Sequence, residues 1–221
     1  VRHAFGPLDP ADIPALLADP SSHPKHLGPT EDIPFFKSQT RLTFARVGLN
    51  DPLDYAAFRA TRGGEGLARA LQLSTEDRLS EVTASGLRGR GGAGFPTGIK
   101  WRTVATAPAS QKYIVCNADE GDSGTFADRM LMEGDPLTLI EGMAIAGLST
   151  GATKGFVYIR SEYPDALRVM RAACDIARAN GLLGDALLGI GPAFDLEIRE
   201  GAGAYVCGEE TALLNSLEGK R

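Results

Sequence analysis

Histidine is nearly missing from this chain, and its few copies sit at one end. His3, His23 and His26 all precede residue 27, so residues 27–221 carry none. A Ser-His-Asp hydrolase, a Cys-His protease or a histidine-ligated metal enzyme cannot be assembled from that stretch. Cysteine is just as thin: Cys116, Cys174 and Cys207 are far apart, odd in number and without a C-x-x-C pair. They make no disulfide framework and, by themselves, no zinc or iron–sulfur site, so reduced thiols and no bound metal are expected. No apolar run approaches the ~20 residues of a membrane helix, and the opening Val1-Arg2-His3-Ala4 has no signal-peptide stretch. Positive charge is in deficit, with 23 Lys and Arg against 28 Asp and Glu and a net charge of −5. That balance excludes a broad nucleic-acid surface and leaves room only for a local basic pocket. The expectation is a cytoplasmic protein with neither membrane insertion nor a nucleic-acid partner.

What is present is an ordinary globular balance, 43% hydrophobic and 23% charged over 221 residues. Residues 1–38 are punctuated by Pro7, Pro10, Pro14, Pro20, Pro24, Pro29 and Pro34. Proline removes donors and breaks helices, so this stretch reads as a linker or arm with one short helix over Pro10–Leu17. Residues 39–221 then read as one α/β domain. Arg41–Val47 alternates like a strand, and Leu53–Leu71 is helical with an interruption at Gly63-Gly64. Further on, strands are expected at Tyr113–Cys116, Gly155–Arg160 and Phe194–Arg199. Helices are expected from Asp135-Pro136 to about Leu148, over Pro164–Asn180, and over Glu209–Leu217. Alternating strands and helices with short joints imply a Rossmann-like, mostly parallel sheet flanked by helices, with the proline-rich segment as an extension.

Three segments can carry chemistry. The first, G-L-R-G-R-G-G-A-G-F-P-T-G-I-K-W over residues 86–101, offers backbone N–H groups for an anion, with Arg90 and Lys100 adding charge. Gly89 to Gly94 fits G-x-G-x-x-G, yet Ser80–Ser85 before it is no convincing strand, so a flexible surface loop stays open as the alternative. The second is C-N-A-D-E-G-D-S-G-T over residues 116–125, directly after a strand. Asn117, Asp119, Glu120 and Asp122 there can bond ring nitrogens, carbonyls or ribose hydroxyls, or can simply form a solvated acidic turn. Its spacing does not meet that of a calcium loop. The third, G-A-G-A-Y-V-C-G-E-E-T-A-L-L-N-S over residues 201–216, places glycines before a helix whose first turn holds Glu209 and Glu210.

In this order, the three segments resemble the flavin-bearing, NADH-oxidising subunit of respiratory complex I (the 51-kDa type) and its soluble relatives. Those relatives include the diaphorase subunit of NAD-reducing hydrogenases and the beta subunit of NAD-dependent formate dehydrogenases. The resemblance runs from about Pro34, through P-F-F-K-S-Q-T-R-L-T-F and R-G-G-E-G-L, to the last residue. N-A-D-E-G-D-S-G-T-F-A-D-R-M-L-M-E-G-D-P is most similar to the formate dehydrogenase branch.

The resemblance implies FMN, with Gly89, Arg90, Gly91, Gly92 and Lys100 on its phosphate side. Asn117, Asp119, Glu120, Tyr205, Gly208 and Glu209 would line the flavin. It implies NAD(H) stacked over the flavin, with Phe95 against adenine, and with Asp122 and Glu210 near ribose and nicotinamide. Glu120 and Glu210 would position the hydride transfer, which needs no side-chain acid or base. It further implies iron–sulfur and catalytic subunits of a multi-subunit dehydrogenase as partners. A 4Fe-4S cluster is expected only in a C-terminal region that this chain lacks, so the chain reads as a fragment. Two positions depart from complex I sequences. Asp122 stands where glutamate is usual, and Thr103 where an apolar or aromatic residue is common.

Overall fold

The computed structural model describes residues 3–122 and 124–220, so Ser123, in the second segment, lies outside the described residues. The chain divides into two compact units, residues 1–50 and 51–221.

The first unit is built from short pieces, as its prolines dictate. Strand β1 (His3–Phe5) pairs antiparallel with β2 (His26–Pro29), which follows the short helix α1 (Ile13–Ala18); a further single turn, α2, covers Pro34–Lys37. All three histidines gather at the strand pair. His3 Nδ1 lies 2.7 Å from His26 Nε2, His26 stacks on Phe5, and His23 is buried. The strand expected at Arg41–Val47 is not formed. The segment makes tight turns instead, Ala45 N–H to Leu42 O at 3.4 Å and Val47 N–H to Phe44 O at 3.2 Å. With no partner strand alongside, local turns satisfy backbone groups that an isolated strand would leave unpaired.

The second unit starts with four helices: α3 (Tyr55–Ala60), α4 (Glu65–Gln72), α5 (Thr75–Ala84) and α6 (Thr97–Thr106). Asp54 caps α3 by accepting from Ala57 N–H, and Ser74 caps α5 by accepting from Asp77 N–H. The break at Gly63-Gly64 separates α3 from α4 as expected. The start of α4 is capped from afar, since the buried Glu141 accepts from Gly64 N–H at 2.8 Å and from Leu67 N–H at 2.9 Å. The R-G-G-E-G-L motif is thereby a docking point between helices.

Beyond these lie β3 (Tyr113–Ala118), α7 (Ala127–Gly134), α8 (Pro136–Thr150), β4 (Lys154–Arg160), α9 (Pro164–Ala179), β5 (Asp195–Gly201) and α10 (Glu210–Leu217). The sheet order is β3-β4-β5, every pair parallel. This is the α/β layering expected of strands separated by helical crossovers. Helix α9 buries Leu167, Met170, Cys174 and Ala177, the face that the 3.6-residue period picks out. Close packing sets two glycines: a Cβ on Gly147 would fall 2.4 Å from Phe194 Cδ2, and one on Gly155 2.6 Å from Leu196 Cδ2. The core of Val157, Ile159, Leu137, Ile140, Met170 and Phe194 leaves the carboxyl ends of the strands as the edge where side chains can meet a ligand.

Candidate functional site

Strand β3 delivers the acidic segment to that edge. Asn117 and Ala118, its last residues, pair with Tyr158 and Ile159 of β4. The chain then turns sharply, with Glu120 at φ 41°, a left-handed conformation that disfavours a side chain. The turn is held at three points. Asp128 N–H and Arg129 N–H each donate to the Glu120 carboxylate at 2.8 Å, and the Tyr163 hydroxyl donates to its carbonyl at 2.7 Å. Glu120 therefore caps α7 and fastens the loop; both its oxygens are engaged. Asp122 is exposed. Its backbone carbonyl closes the turn by accepting from Thr125 N–H at 3.2 Å, while its carboxylate faces the Tyr205 hydroxyl at 3.4 Å.

Asp119 is left incomplete by its protein contacts. It is 1% exposed, and its Oδ2 has no hydrogen-bond partner among the described residues. Burial pushes its carboxyl above the ordinary range, against the pull of the Arg160 charge, and Glu162 adds to the rise. Two glycines from different segments approach that oxygen closely. A Cβ on Gly121 would fall 3.0 Å from Oδ2, and one on Gly208 3.4 Å from it. Asn117 Nδ2 donates to the Gly208 carbonyl at 2.8 Å, locking the second segment to the third. Thus Asn117, Asp119, Asp122, Tyr205 and Gly208 come together across some ninety residues of sequence.

Glu209 is spent at the start of α10, where its carboxylate accepts from Thr211 N–H and Ala212 N–H, both at 3.0 Å. Those bonds hold its carboxyl below the usual carboxylate range. Glu210, one residue on, is exposed in the first turn.

The glycine loop is shaped by its own bonds. Gly89 N–H donates to Phe95 O and Thr97 N–H to Leu87 O, each at 2.9 Å, and Arg88 Nη1 donates to Gly94 O at 3.0 Å. Arg88 is thus used internally, while Arg90, Lys100 and Phe95 are exposed. Gly92 (φ 98°) and Gly94 (φ 62°) hold conformations that glycine alone adopts freely. A Cβ on Gly91, Gly92 or Gly94 would meet nothing within 4 Å, so these residues face open space. Gly98 differs: its Cβ would fall 2.3 Å from Thr83 Oγ1, so it is required by the contact of α6 with α5. Among the described residues no hydrogen bond joins this loop to the Asp119 cluster.

Sequence reasoning missed Gly121, Arg160, Glu162 and Tyr163 in this site. Arg160 ends β4, and its place at the carboxyl end of an expected strand was the available signal. The thiols of Cys116 and Cys174 are pushed up to about 12 by burial. No group of three or more His, Cys, Asp or Glu side chains suited to a metal ion occurs among the described residues, and no helix there is long and apolar enough to cross a membrane.

A parallel α/β sheet with an acidic turn at its carboxyl edge, in one unit with a cationic glycine loop, is an arrangement suited to a nucleotide. Residues 82–221 match the Nuo51 FMN-binding domain, and the chain belongs to that family. It is 53% identical over 185 residues to the NADP-reducing hydrogenase subunit HndC of Solidesulfovibrio fructosivorans, covering 84% of this chain and 38% of that one. It is 53% identical over 167 residues to an NADH-quinone oxidoreductase subunit of Rhizobium meliloti, covering 75% and 40%. Against an NADH-quinone oxidoreductase subunit of Escherichia coli the identity is 45% over 166 residues, covering 74% and 37%. Among solved structures, a NAD+-reducing nickel–iron hydrogenase in the air-oxidised state is similar, with TM-score 0.62 and 35% identity over 98% of this chain and 35% of that one. The chain spans about two-fifths of the length of these curated relatives.

The residues fit the family's FMN. The orphaned Oδ2 of Asp119 between two glycines suits a polar ring edge, and the open glycines with Arg90 and Lys100 suit a phosphate.

Proposed function

We propose that this chain forms the FMN- and NAD(H)-binding part of a diaphorase, in which reducing equivalents pass between NAD(H) and iron–sulfur centres of partner subunits. The observation that carries the reading is Asp119 Oδ2, buried and unpartnered at the carboxyl edge of the sheet between Gly121 and Gly208. FMN held there would supply two-electron hydride chemistry together with one-electron transfer. The chain's own part is placement. Arg90, Lys100 and the N–H groups of Gly91 and Gly92 hold the phosphate, and Gly89, its own N–H bonded to Phe95 O, shapes the loop beside it. Asn117, Asp119, Tyr205 and Gly208 orient the ring, with Glu120 and Glu209 keeping their loops in place. Phe95 offers an exposed ring for adenine, and Asp122 and Glu210 offer exposed carboxylates for the nucleotide. No proton need be moved by a side chain, which agrees with a domain free of histidine.

The wording of residues 117–136 supports the beta subunit of a formate dehydrogenase. The relatives' names support instead a hydrogenase diaphorase or a quinone-side subunit, and the proteins that copurify with it in the native source decide between them. The ligand assignment is tested with Lys100→Ala. Losing a charge-assisted phosphate contact is expected to cost about 1.5–3 kcal/mol of FMN affinity. Riboflavin, which has no phosphate, should bind wild type weakly and be unaffected by the substitution. Equal losses for both ligands would remove Lys100 from the phosphate site.

A further inference from the structure

Arg160 takes no part in the roles assigned so far, yet its position is tightly fixed. It ends β4 with its side chain only 14% exposed, and Glu162 clamps it through both Nε (3.0 Å) and Nη2 (2.5 Å). Its guanidinium also lies over the Tyr163 ring, 5.7 Å from the centroid, and Tyr163 in turn holds the Glu120 carbonyl. A planar fork held on one side by a carboxylate and on a face by an aromatic ring has lost its freedom before any ligand arrives. The remaining nitrogen, Nη1, has no hydrogen-bond partner among the described residues. It packs against Gly121 beside Asp119 Oδ2 and the Tyr205 ring: a Cβ there would lie 2.9 Å from Nη1, 3.0 Å from Asp119 Oδ2 and 3.1 Å from the Tyr205 ring, closer than a side chain fits. A fixed donor and an unpartnered buried acceptor therefore converge on one notch, the side-chain-free face of Gly121, with an aromatic edge beside it.

We propose that Arg160, clamped by Glu162, is a positioning and specificity residue that pairs its Nη1 with Asp119 Oδ2 to read a ligand edge carrying C=O beside N–H, as in an amide. This rests on the flavin–nicotinamide reading above. Asp119 accepts the N–H, Arg160 donates to the carbonyl, and the geometry rejects a ligand in which either partner is missing. Discrimination follows from the cost of leaving a buried polar group unpaired, which exceeds the net value of the bond itself. Two ligands of the proposed reaction present such an edge: the pyrimidine end of the flavin and the carboxamide of the nicotinamide.

The test is a set of binding titrations, followed by flavin and protein fluorescence, on wild type, Arg160→Gln, Arg160→Lys and Glu162→Gln. FMN is compared with 3-methyl-FMN, which lacks the ring N–H, and NADH with its 3-acetylpyridine analogue, which lacks the amide N–H. Circular dichroism and thermal unfolding establish that each variant folds. The expected result is about a tenfold preference of wild type for the amide-bearing member of one pair. Arg160→Gln should bring that preference close to one, Arg160→Lys should keep part of it, and Glu162→Gln should weaken it with Arg160 still present. Loss in the FMN pair assigns the notch to flavin, and loss in the NADH pair assigns it to nicotinamide. If folded Arg160→Gln keeps both preferences, or wild type shows neither while binding FMN and NADH, the assignment of Arg160 is overturned and the diaphorase reading stands. Wild type binding neither FMN nor NADH would overturn both.

Discussion

At the scale of single residues, the acidic segment divides its labour. Glu120 and Glu209 are used on backbone N–H groups, whereas Asp119 Oδ2 has no partner among the described residues and the exposed Asp122 carboxylate meets the Tyr205 hydroxyl. Asp119 makes a pH prediction. Burial raises its folded-state carboxyl above the ordinary 3.8, so the neutral form is favoured in the fold. Its contribution to stability is fully present below that value and is lost as pH rises through the raised one. A ligand N–H donating to Oδ2 prefers the carboxylate and draws the value back down. The ratio of FMN affinity between wild type and Asp119→Asn should therefore rise with pH and level off above the raised value of the free fold. Taking the ratio cancels titration of the phosphate, and a flat ratio would remove Asp119 from ligand contact. Asp122 makes a second prediction. An exposed carboxylate near the adenosine ribose accepts from hydroxyls and repels a 2′-phosphate. Asp122→Asn should raise NADPH activity relative to NADH and leave FMN affinity nearly intact, as read from the two kcat/KM values. The relative from Solidesulfovibrio fructosivorans, 53% identical, bears the name of an NADP-reducing subunit, so this ratio decides something real for the present chain. An unchanged ratio with FMN lost would make Asp122 a loop residue.

At the scale of elements, much of the fold was legible where local chemistry and packing agree. Helix α9 has an apolar stripe, a proline at its start and Asn180-Gly181 at its end, and it forms over Pro164–Ala179. The strands at 113 and 155 were legible as short apolar runs bounded by turns, and the edge strand at 194 through the alternation of Phe194, Leu196 and Ile198 with charged residues. Arg41–Val47 has an equally good alternation and no neighbour to pair with, a fact that pattern alone does not carry. Helices α5, α6 and α7 escape the pattern, because their packing depends on contacts such as Gly98 against Thr83 that sequence spacing does not announce. The caps supply the element-scale prediction. Glu141→Ala strips two acceptors from the buried start of α4, and a loss of about 1–3 kcal/mol of unfolding free energy is expected by chemical denaturation. Glu120→Ala should cost about 1–2 kcal/mol through α7, and a change within error in either case would contradict the capping role.

At the scale of the molecule, the glycines of the second unit sort into two kinds, and the sort explains the site. Gly98, Gly147 and Gly155 are filled by neighbouring atoms, so they are demanded by packing; Gly91, Gly92 and Gly94 face open space. Motif spacing could not make that distinction, since all six look alike in sequence, and it could not find Arg160, which only the parallel register of β4 beside β3 brings to Asp119. In the function proposed above, this edge unites a flavin and a nicotinamide in productive contact. The most direct measurement is anaerobic addition of NADH to the FMN-reconstituted protein while the visible flavin absorbance is followed. The band is expected to bleach with one NADH consumed per flavin and to return on adding an artificial electron acceptor. FMN that binds stoichiometrically yet stays oxidised under excess NADH and NADPH would contradict that function.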